Sequence, residues 1–287
     1  MTWTIRRTDK NCHIVSLKNE KKTVPRKALL LADIHWDNAH CDLHKFKKDM
    51  DEALKCGAPI FIFGDFFCAM QGKWDPRSSQ DALRPEHRGG NYLDLLIESA
   101  AKWLEPYKKN LALISPGNHE TAIQKRHETN LTERLITLLR HSGSSVEIGS
   151  YWGFVKFCVN WHNKTIGTID LHYSHGYGGG GEVTRGLIDW SRTRGQYIAD
   201  VYVAGHIHRR NMDENIITTV SSAGKSHQVK QLFLRCGTYK DEHQPNGWHV
   251  EKGRAGRPLG GWWLDINVHG PRGEENNPTI SYTASMT

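Results

Sequence analysis

The sequence of 287 residues holds no apolar run of 18, no CxxC pair, no internal repeat and no low-complexity tract. Without the long run, a membrane-spanning helix is not expected. The opening MTWTIRRTDKNCHIV carries no apolar stretch of signal-peptide length either, so a soluble, intracellular, cytoplasmic protein is the expectation. The six cysteines (Cys12, Cys41, Cys56, Cys68, Cys158, Cys236) have no pairing rhythm, which speaks against a disulfide scaffold and fits a reducing compartment. Acidic residues are the scarcer charge: 31 Asp and Glu against 38 Lys and Arg give +7 and a pI near 9.0. That balance favours polyanionic partners, but does not separate nucleic acid, nucleotide and acidic lipid, and it also fits ordinary solubilising charge.

What is present suffices for a folded core: 38% hydrophobic residues, with 10 Trp, 9 Tyr and 8 Phe. Apolar runs at 28–32, 59–63, 111–114 and 201–204 read as buried strands, with a further strand at 165–171. Between them, helical periodicity marks 43–56, 92–107, 130–141 and 183–199. This alternation predicts an α/β core with parallel strand pairs. From about residue 215 the helical pattern stops, and 228–236, 261–268 and 279–283 read as strands of a second, more antiparallel sheet. In the last part, the Trp262–Trp263 pair alternates faces, placing at least one ring in the core.

Seventeen histidines are an excess that needs placing, because imidazole is the commonest metal ligand. Many stand with carboxylates just after the apolar runs. ALLLADIH offers Asp33 and His35, IFIFGD offers Asp65, LALISPGNHE offers Asn118 and His119, and VYVAGHIH offers His206 and His208. HYSHG offers His175, or alternatively His172. The carboxyl ends of adjacent strands in an open α/β sheet converge on one crevice, so these distant residues can meet. On an extended segment, D-x-H and H-x-H point both side chains the same way. A glycine before Asp65, Asn118 and His206 would let the chain turn sharply there. Any one of these motifs alone is as well explained by a polar strand end or a helix cap.

In this order, D-x-H, G-D, G-N-H-E, H-G and G-H-x-H, the chain resembles the calcineurin-like metallophosphoesterase superfamily over about 28–208. The resemblance implies an α/β fold, a four-layer α/β/β/α sandwich of two mixed sheets flanked by helices, in a single domain 1–287. The β-rich part at about 215–287 would complete the second sheet. It also implies that Asp33, His35 and His208 hold one divalent metal ion, that Asn118, His175 and His206 hold another, and that Asp65 bridges them. His119 would face the substrate as general acid. Paired metals about 3.5–4 Å apart acidify water and neutralise phosphoryl charge. Mixed imidazole and carboxylate donors suit Mn²⁺, the first expectation, or Fe, Zn²⁺ or Ni²⁺.

The chain departs from the family at Gly64-Asp65-Phe66-Phe67-Cys68, where many relatives read G-D-x-x-D. His119 would then be oriented by Asp75, Glu120 or another carboxylate. The Asp-Arg-Gly extension of phosphoprotein phosphatases is also missing. Cys68 has no recognisable His partner in a nucleophile motif, so a thiol mechanism is not expected. The expected activity is hydrolysis of a phosphodiester by metal-activated hydroxide, on nucleic acid or a nucleotide. The alternatives are a phosphomonoesterase and a non-catalytic metal-binding interaction protein. No membrane and no obligate protein partner is inferred. Lys73, Trp74, Arg77, Arg84, His87 and Arg88, in the insert 66–90, are candidate substrate contacts, Lys73 and Arg77 first, though a solvated loop explains them equally. Lys225, Arg235, Lys240, Arg254 and Arg257 invite the same reading, with plain surface charge as the alternative.

Overall fold

The continuous apolar runs become the innermost strands, since a strand with a covered layer on each side has no polar face to show. A computed structural model describes residues 3–19, 26–71, 75, 78, 81–161, 164–179, 181, 183–245, 248–269 and 279–287. Six strands form one sheet: β3 (Arg26–Leu31), β4 (Ile60–Phe63), β5 (Leu111–Ser115), β6 (Glu147–Ile148), β12 (Trp262–His269) and β13 (Thr279–Met286). Their order is β13-β12-β3-β4-β5-β6. β3 to β6 run parallel, and β12 and β13 add antiparallel at the β3 edge.

Seven strands form the other: β1 (Trp3–Asp9), β2 (Cys12–Asn19), β7 (Trp152–Trp161), β8 (Lys164–Ser174), β9 (Val201–Ala204), β10 (Asn211–Val220) and β11 (Ser226–Arg235). Their order is β1-β2-β7-β8-β9-β11-β10, again mixed. The strands after residue 210 therefore divide between the sheets. β10 and β11 widen one and β12 and β13 the other, where the sequence suggested a single C-terminal sheet.

Three apolar clusters define the layers. Phe61, Phe63, Leu113, Phe157, Leu171, Val203 and Leu234 fill the space between the sheets. The other face of the six-stranded sheet packs on α1 (Leu43–Cys56), α2 (Tyr92–Leu104) and α4 (Leu131–His141) through Phe46, Met50, Leu96, Ile97, Leu135 and Leu139. The outer face of the seven-stranded sheet takes Trp190 of α5 (Leu187–Gln196) against Tyr202 and Phe233. The result is the α/β/β/α sandwich. Trp262 and Trp263 are both buried, one in the inter-sheet cluster and its neighbour under the helices, because alternate strand residues face opposite layers.

The helices start where side chains offer caps. The Asp42 carboxylate accepts from Lys45 N–H and the Asn130 side chain from Glu133 N–H. α5 is shorter than the 183–199 periodicity suggested. Two helices had no sequence signal: α3 (Asn118–His127) and the single turn α6 (Trp248–Glu251). In α3 only Glu120 and Ile123 are buried, so it shows no apolar stripe.

Candidate metal centre

The site lies where both sheets present the carboxyl ends of parallel strands. Asp33 and His35 follow β3, Asp65 follows β4, and Asn118 opens α3 after β5. From the other sheet, His175 follows β8, and His206 and His208 follow β9. Two groups result. Asp33, His35 and His208 bring one ligand atom each within 4.8 Å of one another, and so do Asp65, His175 and His206. The Asn118 side-chain oxygen lies 3.0 Å from His175 Nε2 and 2.8 Å from His206 Nδ1. The alternative His172 lies elsewhere, stacked on Tyr197 with ring centroids 4.1 Å apart.

These side chains do not leave extended segments, as the sequence suggested. Eight described non-glycine residues have positive φ, and five are Asp33, His35, Asp65, His206 and His208. Such conformations cost energy and persist where the surroundings over-determine them. At Asp33 the N–H donates to Gly64 O at 3.0 Å, while its carbonyl accepts from Tyr239 N–H and the Thr238 hydroxyl, both at 2.9 Å. The glycines also act differently from expectation. Of Gly64, Gly117 and Gly205, only Gly64, at φ 89, is left-handed. Gly117 and Gly205 instead make room: a Cβ on Gly117 would strike the Asp65 carboxylate, and one on Gly205 the Asp33 carboxylate.

The hydrogen bonds around the rings fix which ring nitrogen each histidine could offer to a cation. His175 Nδ1 donates to Phe63 O at 3.0 Å, which leaves Nε2 with a lone pair in the neutral ring. That Nε2 faces the Asp65 carboxylate at 3.1 Å as well as Asn118. His206 Nε2 points to the Gly178 carbonyl at 3.0 Å and so turns its Nδ1 lone pair to Asn118. His208 Nδ1 donates to Glu242 at 3.0 Å, so its Nε2 faces His35 Nε2 at 3.0 Å and Asp33 Oδ1 at 3.4 Å. Asp33 Oδ1 is buried with no hydrogen bond among the described residues. Acceptors converging on acceptors, with a buried carboxylate oxygen left over, fit a cation in each group.

Electrostatics agree. Burial alone would lower the pKa of His175, but the Asp65 and Asp33 carboxylates raise it to about 10; His208, likewise buried, is raised to about 9 by Asp33 and Glu242. Each spot demands positive charge, which a proton or a metal can supply. His35 and His206 are pushed down, first by burial and then by neighbouring histidines, and so keep neutral rings. Asp65 is held well below the usual carboxylate range because His175 and His119 outweigh the cost of burial. The donor set is imidazole, carboxylate and amide oxygen, which suits a first-row divalent ion.

His119 stands beside these groups, its Nε2 3.7 Å from the Asp65 carboxylate. Its Nδ1 hydrogen-bonds to the Cys68 carbonyl, so a peptide oxygen orients it where a carboxylate was expected. Asp37, at 2% exposure, accepts from the N–H of Cys68 at 2.6 Å, the N–H of Ala69 at 2.9 Å and the Tyr92 hydroxyl at 2.7 Å. The carboxylate thus comes from another strand end and acts through the Cys68 peptide. Glu120 accepts from the N–H groups of Asp65, Phe67 and Gly117 and shapes the same turn. Cys68 lies near His35 and His119, but burial and Asp37 push its thiol up to about 12.

Three residues gain roles that sequence reasoning missed or misplaced. Asp37 continues the alternation Asp33-x-His35-x-Asp37, a signal that was available. Glu242 had none. Its carboxylate takes His208, Lys240 at 2.9 Å and His249 at 3.2 Å. Arg235, a candidate phosphate contact, is 1% exposed and donates to Gly205 O at 3.3 Å and Gly186 O at 3.1 Å. It therefore holds the turn ahead of His206. From the insert, Arg84 lies over Trp36 at 4.5 Å and His87 is buried on the Ser99 hydroxyl, while Arg88 stays exposed. Lys73, Trp74 and Arg77 lie outside the described residues.

No family model and no curated protein is matched by the sequence. Among solved structures, Vps29 of Chaetomium thermophilum is similar at 10% identity and TM-score 0.39, over 91% of this chain and 96% of that one. A predicted phosphoesterase of Streptococcus pneumoniae TIGR4 follows at 11% identity, TM-score 0.29 and coverage of 91% and 99%. A metallophosphoesterase from Sphaerobacter thermophilus has 12% identity, TM-score 0.32 and coverage of 90% and 88%. No described helix is long and apolar enough to cross a membrane.

Proposed function

We propose that the chain is a two-metal phosphoesterase that hydrolyses a phosphodiester of nucleic acid or a nucleotide. The observation that carries this reading is the convergence of ligand lone pairs on two adjacent groups, with Asp33 Oδ1 buried and without a hydrogen bond among the described residues. Asp33, His35 and His208 would hold one ion, Asn118, His175 and His206 the other, and Asp65 would touch both. Such a pair, when bound, lowers the pKa of water and offsets phosphoryl charge. The chain's own residues do the rest. His119 is held at Nδ1 by Cys68, and in its imidazolium form Nε2 carries the proton that the departing ester oxygen takes. The net charge of +7 supports a polyanionic substrate.

The test is release of p-nitrophenol from bis-p-nitrophenyl phosphate by Mn²⁺-loaded protein. Turnover is expected and should vanish in Asp65→Asn and His206→Ala. A metal-replete protein that cleaves monoesters faster than diesters would make it a phosphomonoesterase. One that binds two ions tightly and cleaves neither would make it a metal-dependent binding protein.

A further inference from the structure

A cleft of about 490 Å³ opens between the turn Pro85–His87, α2 and α3, lined by Leu83, Tyr92, Leu93 and Ile123 with Arg88 and His127 at its rim. A narrow crevice walled by Ala69 and His119 shares Gln71, Ile123 and His127 with it, so the cleft adjoins the side chain that faces the reacting phosphate. The volume falls within the roughly 300–1,000 Å³ of small-molecule sites, and apolar walls with a few polar groups are their usual lining.

Tyr92 links this wall to the metal centre. Its hydroxyl donates to the Asp37 carboxylate, which also holds the Cys68 and Ala69 N–H groups, and the Cys68 carbonyl holds His119. The Tyr92 ring and the general acid are thus fixed by one hydrogen-bonded frame. An aromatic wall, aliphatic neighbours and the Arg88 guanidinium at the rim suit a flat group that carries polar edges and is tethered to a phosphate.

We infer that this cleft seats the nucleobase of the substrate, on the side of His119. The inference rests on the phosphoesterase reading, so its test measures binding and not turnover. The 5′-methylenephosphonate analogue of thymidine 5′-phosphate, whose P–C bond is not hydrolysed, is compared with methylphosphonate by calorimetry on Mn²⁺-loaded protein. The nucleoside analogue should bind roughly tenfold tighter, the effect of stacking one base. Gln71→Trp, which narrows the junction of crevice and cleft, should bring the two within about twofold. If that variant does not fold, Arg88→Ala combined with His127→Ala, at two exposed positions, should erode the same preference severalfold.

Equal affinity for the two phosphonates, binding of neither, or a preference that survives in the folded variants overturns the inference. Preferential binding by a protein that cleaves no ester would instead overturn the hydrolytic reading and leave the subsite standing.

Discussion

Glu242 accepts the Nδ1–H of His208 at 3.0 Å and thereby fixes which ring nitrogen faces Asp33. A carboxylate behind a ligating imidazole sets its tautomer and raises its basicity. Burial would raise the pKa of Glu242, but its hydrogen bonds and the charges of His208 and Lys240 hold it well below the usual carboxylate range, so it stays ionised. Glu242→Ala should weaken the affinity for the ion at Asp33, His35 and His208 by about 10–100-fold. Mn²⁺ titration followed by electron paramagnetic resonance reads this site by site. Unchanged affinity would show that Glu242 serves only its contacts with Lys240 and His249.

Asp37 leads to a different signature, because it touches no proposed ligand. Asp37→Ala strips a buried acceptor from two N–H groups and a hydroxyl, and should cost about 3 kcal/mol, read by urea unfolding. In the folded variant the Cys68 carbonyl is no longer fixed under His119, so kcat should fall far more than KM changes. Tyr92→Phe removes one of the three bonds and should cost about 1 kcal/mol. Equal kcat in Asp37→Ala and wild type would detach this frame from the acid.

Gly117 tests the packing of the site without altering its chemistry. Its φ of −106 is open to any residue, so the obstacle to a side chain there is contact alone. A Cβ would strike the Asp65 carboxylate and backbone. Gly117→Ala should displace Asp65 and lower the metal stoichiometry from two to one or none, while the unfolding transition stays cooperative. Full stoichiometry by elemental analysis would mean that the turn yields easily.

What the sequence disclosed follows from where each element sits. β3, β4, β5 and β9 are covered on both sides, so their apolar runs are continuous, and the polar residues that end them stand out. β10 lies at a sheet edge with every second residue exposed, and α3 buries only Glu120 and Ile123; neither offers a period strong enough to read. The donors grouped at the centre were legible as residue types, but the left-handed backbone of Asp33 and His35 was not, because it is held from distant segments, by Gly64, Thr238 and Tyr239 at Asp33 and by the Asp65 carbonyl at His35. Glu242 was invisible for the same reason: only folding brings it behind His208.

His172 provides a prediction about stability that is independent of the metal ligands. It is 2% exposed among Trp152, Phe154, Tyr197 and Tyr202, and its Nε2 has no hydrogen bond among the described residues. Burial lowers its pKa from 6.5 to about 4. Between those values the unfolded chain takes up a proton that the folded chain refuses, so this contribution is full above pH 6.5 and is lost as the pH falls toward 4. The loss should approach roughly 3 kcal/mol at the acid end. His172→Phe keeps a ring in the aromatic cluster and removes the titration. Measured by urea unfolding in chelator, so that metal release does not contribute, the difference in stability between variant and wild type should grow as the pH drops from 7 to 4.5. Parallel pH profiles for the two proteins would mean that the native fold opens to admit the proton.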